Sequence, residues 1–323
     1  MSVTFQTVQE SEKDIRLDRW FKRHYPDLPH TLLEKLLRKK NIRVNGKKAC
    51  SNLRLLPGNI IRIPPFEVKE PSVSQKELSK AEKSFMQDMV LYKNDDIIIL
   101  NKPAGLAVQG GSKTTKHIDG LLDALRFDYE ERPRLVHRLD KETSGVLIIA
   151  RTVKSAENLS RLLKTKAIHK NYWALVSGHP SQHEGKIEAP LTQKKLNKNF
   201  DKRMVDEEGL PAVSLYKVQD HLMDKVSWLQ MSPLTGRTHQ LRIHAAEILK
   251  TPILGDKRYG IKEKSFSLPN KMFLHARAIS IPLVNKKVLT VEAPLPEHFK
   301  TAFQQFGFSE KNVKSLFLRS NND

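Results

Sequence analysis

The strongest constraint on what this chain can fold into is one stretch, residues 134–151, RLVHRLDKETSGVLIIAR. Gly145 to Ala150 is an apolar run rich in Val and Ile, and a run of that length behind turn residues predicts a buried strand. The nine positions 134–142 carry Arg134, His137, Arg138, Asp140, Lys141 and Glu142. A dense group of charges is therefore delivered directly onto a core strand. Asp140, Thr143, Ser144 and Gly145 are turn formers, so one reading is a charged loop that caps the strand. The other is a functional loop held on a rigid scaffold, which is where binding and catalytic residues concentrate. At this level both stay open.

With 323 residues the chain has room for two or three domains. Its net charge of +20 favours a polyanionic partner, nucleic acid before membrane surface, because the basic residues are spread along the chain among acids. Cys50 is the single cysteine, which excludes an intramolecular disulfide and any cysteine-rich metal site and fits a reducing, cytoplasmic compartment. The N-terminal residues lack a signal or transit pattern, and no apolar run approaches membrane-spanning length. A soluble intracellular protein is expected.

Residues 1–13 are polar and expected to fray. A compact pattern follows over 14–63: helices DIRLDRWFKRHY and HTLLEKLLRKK, then short strands NIRVNG and NIIRIP. Leu32, Leu33, Leu36 and Leu37 recur at helical spacing and leave Lys35, Arg38 and Lys39 on an outer basic face. Residues 64–87 are rich in Pro, Ser and charge and read as a linker. The remainder, 88–323, is strand-rich. MVLYKN and IIILNK form a strand, turn and strand; HIDGLLDALRF reads as an amphipathic helix; TVKSAENLSRLLKTK is a helix with Thr152 as N-cap. HKNYWALVSG is a strand that puts Tyr172 and Trp173 on opposite faces. Residues 181–210 read as loop-rich, and basic at Lys194, Lys195, Lys198, Lys202 and Arg203. Strands AVSLYKVQ and VSWLQMS, a turn into a helix at LTGRTHQLRIHAAEIL, strands MFLHARAISIPL and KVLTVEAP, and helices from Glu297 and Glu310 complete the chain. The glycine loop KPAGLAVQGGSK is not a phosphate-binding P-loop, since Gly111 stands where that motif requires Lys.

HRLDKETSGVLIIAR, KNYWALVSG, LTGRTHQLRIHAAEILKTPILGDKRYG and FLHARAISIPL together resemble the RluA family of pseudouridine synthases, in order and spacing over residues 89–300. The two-helix unit followed by VNGKK and PGNIIRIP resembles an S4 RNA-binding domain of the α-L type, and with the NKPAGLAVQGGS loop it makes the chain most similar to the RluC branch, which acts on large-subunit ribosomal RNA. The resemblance implies an α+β fold with a mainly antiparallel sheet and flanking helices, preceded by the S4 domain. It implies isomerisation of uridines in 23S ribosomal RNA, free or in an assembly intermediate, by a monomer that needs no cofactor, metal or membrane. A transfer RNA synthase of the same family and a non-catalytic S4-containing assembly factor are the rival readings.

The resemblance also assigns residues. Asp140 corresponds to the essential aspartate, as nucleophile or as base at C2′. Arg237 corresponds to the arginine that pairs with it and fixes its orientation. Tyr172 corresponds to the tyrosine that stacks on the flipped base. Arg138 corresponds to the side chain that enters the RNA stack, and Leu274 packs on the uracil. Lys35, Arg38, Lys39, Lys40 and Arg43 are expected to contact phosphates. His137, His239, His244 and His275 are expected to be structural hydrogen-bonders, since their spacing suits no zinc site.

Overall fold

A computed structural model describes residues 3–26, 28–66, 78–110, 116–197, 200–261, 266–283 and 287–313. The chain divides into two compact units, Met1–Glu77 and Leu78–Asp323.

The first unit runs β1 (Thr4–Thr7), α1 (Leu17–His24), α2 (His30–Arg38), β2 (Arg43–Val44), β3 (Lys47–Lys48) and β4 (Ile60–Ile63). α1 buries Leu17, Trp20 and Phe21, and α2 buries Leu33, Leu36 and Leu37, the i, i+3, i+4 spacing of one apolar stripe. Both stripes pack with Val44, Ile61 and Ile63 of an antiparallel sheet in the order β1-β4-β2-β3. Asn45 and Gly46, both at positive φ, make the tight hairpin turn between β2 and β3. The N-terminal segment expected to fray is instead an edge strand, with Thr4–Thr7 paired to Ile63–Ile60. An edge strand is held by its main chain and needs few apolar side chains, so polarity was a poor guide there. Lys35, Arg38, Lys39 and Lys40 are exposed at the α2 side, and Arg43 is exposed on β2.

The second unit begins inside the stretch expected to be a linker. Ser79 and Glu82 form a capping box for α3 (Lys80–Gln87), whose Met86 is fully buried. β5 (Val90–Lys93) and β6 (Ile97–Lys102) follow, then a 3-10 run at Asp119–Leu125 where an α-helix was expected. Next come β7 (Arg134–Leu135), β8 (Ser144–Ala150), α4 (Val153–Lys164), β9 (His169–Ser177) and β10 (Glu184–Glu188). The region expected to be loop-rich instead carries β10 and a hairpin of β11 (Leu191–Asn197) and β12 (Phe200–Val205). The side chains of Lys194, Lys195 and Lys202, and the whole of Lys198, lie outside the described residues; Arg203 is half-buried. β13 (Val213–Leu222), β14 (Val226–Pro233), α5 (Gln240–Ile243), β15 (Leu274–Pro282), β16 (Val288–Glu292) and α6 (Glu297–Phe306) complete the unit.

The main sheet runs β10-β13-β14-β9-β15-β8-β6-β5 and is antiparallel except for the short β8–β15 pairing, giving an α+β fold. β8 is buried over its whole length. Its Leu147 and Ile149 pack on the α3 side and Val146, Ile148 and Ala150 on the α4 side, which is why its sequence runs apolar rather than alternating. At the β8–β15 seam Gly145 pairs with Ala276 at φ +104°, where a Cβ would lie 2.2 Å from the Ala276 carbonyl oxygen. Only glycine fits there. Through this seam the transverse row Met231–Tyr172–Ala276–Gly145–Lys102 crosses five strands.

Candidate active site

A cleft of about 400 Å³ opens in the second unit, lined by residues 136–140 and Thr143 ahead of β8, by Lys166 and residues 168–170, by Tyr172, by residues 232–242 and by Leu274. It gathers Asp140, Tyr172, Arg138, Arg237 and Leu274 from segments far apart in sequence.

Asp140 sits in a turn closed by the Thr143 amide donating to the Asp140 carbonyl (3.1 Å). His137 anchors the approach to that turn. β7 pairs with β8 as far as Leu135–Ile149, and the ladder is then continued by a side chain, the Ile148 amide donating to His137 Nε2 (2.9 Å). On the far side, Ser144 Oγ lies 2.9 Å from Nδ1 of the buried His275. Burial pulls both imidazoles down to about 3, so each is a neutral hydrogen-bonding group. Lys102, also fully buried, aims its ammonium at the carbonyls of Pro103, Leu106 and Lys141 (3.0, 2.9 and 3.0 Å) and so ties the turn to β6. Burial lowers it to about 7, while the charges of Glu142 and Asp140 resist that shift.

The arginine that pairs with Asp140 is Arg242, not Arg237. Arg242 Nη1 donates to Asp140 Oδ2 (3.0 Å), and its Nε and Nη2 grip both oxygens of buried Asp256 (2.7 and 2.8 Å). Asp256 also accepts the amides of Arg258 and Tyr259 (2.8 and 3.1 Å). Although burial opposes charge on both partners, their ion pair prevails: Arg242 is raised and Asp256 lowered from their ordinary values. Arg237 is exposed at the cleft rim, where its Nε donates to the Pro211 carbonyl (3.0 Å). The reason is chain direction. His239 adopts a left-handed conformation (φ +60°) that turns the chain into α5, so Arg242 faces inward on the helix while Arg237 precedes the reversal.

Gln240 holds that turn. Its Oε1 accepts from Thr235 Oγ1 and the Arg237 amide (2.7 and 3.1 Å), and its Nε2 donates to the Val213 carbonyl and Ser214 Oγ (both 2.9 Å). His244 continues the network to Ser214 Oγ and the Ala189 carbonyl (3.0 and 3.1 Å). His239 differs from the other three histidines expected to be structural. Its Nδ1 meets the Tyr259 hydroxyl at 2.9 Å, and its Nε2 faces Asp140 Oδ2 at 3.8 Å. Burial draws His239 down to about 4 against the pull of the Asp140 charge.

Tyr172 points into the cleft, while Trp173, on the other face of β9, packs on Trp228 and Phe303. Burial first, and the Asp140 charge second, raise the Tyr172 phenol well above its usual range, so its hydroxyl stays protonated. Leu274 is buried at the cleft floor in register with Ala174, and Arg138 is exposed at the entrance. The cleft thus combines one carboxylate, an aromatic ring, an apolar floor and a rim with Arg138, Lys166 and Arg237. That arrangement suits a planar base on a polyanionic backbone. Asp256, Arg242, Tyr259 and Lys102 went unassigned in the sequence; the second arginine of GRTHQLR and the GDKRY segment were the available signals.

A family profile described as RNA pseudouridylate synthase matches residues 96–247. A ribosomal large subunit pseudouridine synthase C of Rickettsia prowazekii is 38% identical over 291 residues, covering 88% of this chain and 95% of that protein. The protein of that description in Escherichia coli K12 is 33% identical over 311 residues, 94% and 97% of the two chains. Among solved structures, human RNA pseudouridylate synthase domain containing 4 superposes with a TM-score of 0.61 at 25% identity, covering 70% of this chain and 96% of that one.

Proposed function

Because the chain belongs to the RNA pseudouridylate synthase family, we propose that it isomerises uridines of 23S large-subunit ribosomal RNA and that Asp140 is its catalytic carboxylate. The ribosomal substrate is supported by what the relatives' names say of those proteins, and the +20 net charge agrees with an RNA partner. A cytoplasmic location and action as a monomer belong to the same reading; among the described residues no helix is long and apolar enough to cross a membrane.

The observation that carries the assignment of Asp140 is its position as the carboxylate that faces the cleft, fixed by Arg242, while Asp256 is buried behind that arginine. Isomerisation breaks the C1′–N1 bond, turns the uracil within the site and joins C1′ to C5; C5 loses its proton and the freed N1 gains one. Both routes open to a carboxylate, attack as nucleophile and proton removal at C2′, require it beside the sugar of a nucleotide taken out of its stack. Tyr172 offers a ring for the base and Leu274 an apolar surface under it. Arg138 at the entrance is suited to fill the place the nucleotide leaves, and Lys35, Arg38, Lys39, Lys40 and Arg43 to bind phosphates in an S4-like first unit.

Mapping pseudouridines in ribosomal and transfer RNA from cells that lack the gene, complemented with the parent chain or Asp140→Asn, tests the whole reading. The parent is expected to restore specific ribosomal sites. Asp140→Asn should bind the RNA and restore none. Sites lost from transfer RNA alone would overturn the substrate assignment, and more than trace activity in Asp140→Asn would overturn the catalytic one.

A further inference from the structure

The outer face of the four-stranded sheet in the first unit has a character that the cleft and α2 do not account for. Strand register defines it. Phe5 lies opposite Arg62, Thr7 opposite Ile60, Arg62 opposite Arg43, and Arg43 opposite Lys48. Directly paired residues share a face, so these six side chains project to the same side. Val44, Ile61 and Ile63 project to the other side, where they are buried against α1 and α2. The helices cover only that inner face.

On the outer face Phe5 is 65% exposed and its diagonal neighbour Ile60 48%. Single exposed apolar residues are ordinary, but an aromatic and an isoleucine side by side among cations are a patch. Arg62 Nη1 donates to the Asn41 carbonyl (2.6 Å), and Arg43 to the carbonyls of Lys40 and Gly46 (3.3 and 3.4 Å), so backbone oxygens already orient both guanidinium groups. Between Glu34 and Glu67 the sequence has nine Lys and Arg and no Asp or Glu, and β1 contributes no acid either. The six side chains of the face are therefore apolar, positive or, at Thr7, neutral, and none is acidic. A polyanion fits it, and the exposed ring favours one whose units carry π-faces.

We propose that this outer sheet face binds a single-stranded segment of the RNA, with Phe5 stacking on a base beside Ile60 and with Arg43, Lys48 and Arg62 on the flanking phosphates. Four strands at their usual spacing span about 14 Å, room for roughly two to three nucleotides. The face is separate from the exposed cations of α2, and it assigns Arg43 to the sheet rather than to the helix. The inference rests on the RNA-modifying reading above and adds a contact surface to it.

The test uses the full chain, a short labelled oligouridylate and an RNA duplex of equal length, with affinities measured over a salt series. Phe5→Ala should weaken oligouridylate binding about tenfold, leave duplex binding near that of the parent and leave the salt slope unchanged. Phe5→Trp should bind like the parent. Lys48→Gln should reduce the salt slope for oligouridylate by about 0.7. Phe5 is solvent-exposed, so thermal melting should show Phe5→Ala folded as the parent is. Parent-like affinity of Phe5→Ala for oligouridylate overturns the proposal and leaves the face to a protein partner; equal losses on single strand and duplex overturn the stacking role. Pseudouridine formation on ribosomal RNA is scored in parallel. A parent that forms pseudouridine while Phe5→Ala keeps full affinity overturns the sheet-face proposal alone, whereas a parent that forms none overturns the functional reading whatever the binding result.

Discussion

Arg242 is committed in two directions at once, and only a guanidinium can do that. Its Nε and Nη2 fork onto Asp256 while Nη1 reaches Asp140. A lysine ammonium is a point donor that cannot span both carboxylates in fixed geometry. Arg242→Lys should therefore leave Asp140 misplaced and lower kcat for pseudouridine formation about 100-fold, with KM nearly unchanged. Arg237→Ala, which removes an exposed rim cation, should raise KM and hold kcat within a few-fold. Steady-state kinetics on one RNA substrate separates the two, and the opposite pattern would return the pairing role to Arg237. The two arginines lie five residues apart in one motif, and the resemblance pointed to Arg237, which residue type and spacing alone could not check. What distinguishes them is the left-handed backbone at His239 and a partner, Asp256, that meets Arg242 only in the folded chain. Asp140 and Tyr172 were assigned through the family resemblance; the local pattern supplied only a charged turn before a core strand for the one and a face of β9 for the other.

At the scale of elements, the seam between β8 and β15 decides where the Asp140 turn sits. A methyl at Gly145 would meet three backbone atoms of Ala276, at 2.2, 2.8 and 2.9 Å, and none of them is the end of a flexible side chain. Gly145→Ala should cost roughly 3 kcal/mol of stability, through backbone displacement and an unfavourable positive φ. Because Ser144 and Thr143 move with it, activity should fall further than the loss of folded protein explains. Denaturant melts together with activity per folded molecule check this; a variant of parent stability would mean that the seam is not a close backbone contact. The strands with strong periodicity, β6, β8, β9, β13 and β14, are legible in the sequence because both their faces or one clear face are apolar. β1 and the β11–β12 hairpin are polar segments held by main-chain pairing, so composition gives no warning of them. α3 did carry a signal, the Ser79–Glu82 capping box, inside a stretch whose Pro and Ser content argued for a linker. The 3-10 run at Asp119–Leu125 has helical spacing, which does not separate 3-10 from α over so few residues.

On the scale of the whole molecule, the second unit has built its framework from neutral histidines. His137 accepts the Ile148 amide, an interaction an imidazolium cannot make. His275 lies between Ser144 Oγ and the Ala293 carbonyl, and His244 between Ser214 Oγ and the Ala189 carbonyl. Burial lowers all three, together with His239 and His298, and takes His137 and His275 to about 3. The unfolded chain protonates these groups near 6.5 while the folded unit does not, so stability is full above that value and is lost as pH falls below it. At pH 5.5 the cost is about 1.4 kcal/mol for each histidine held near 3, a large share of a typical folding free energy. Asp256 and Asp123 do not mask the effect, because their folded values lie below an ordinary value of 3.8, and both stay ionised across this window. Calorimetry should therefore show the transition of the second unit moving to lower temperature between pH 7.5 and 5.5. In His137→Gln and His275→Gln, which carry no titrating ring at those sites, the unit starts less stable but should lose less on acidification. An acid shift of the same size in both variants as in the parent would show that these two rings do not set the pH response.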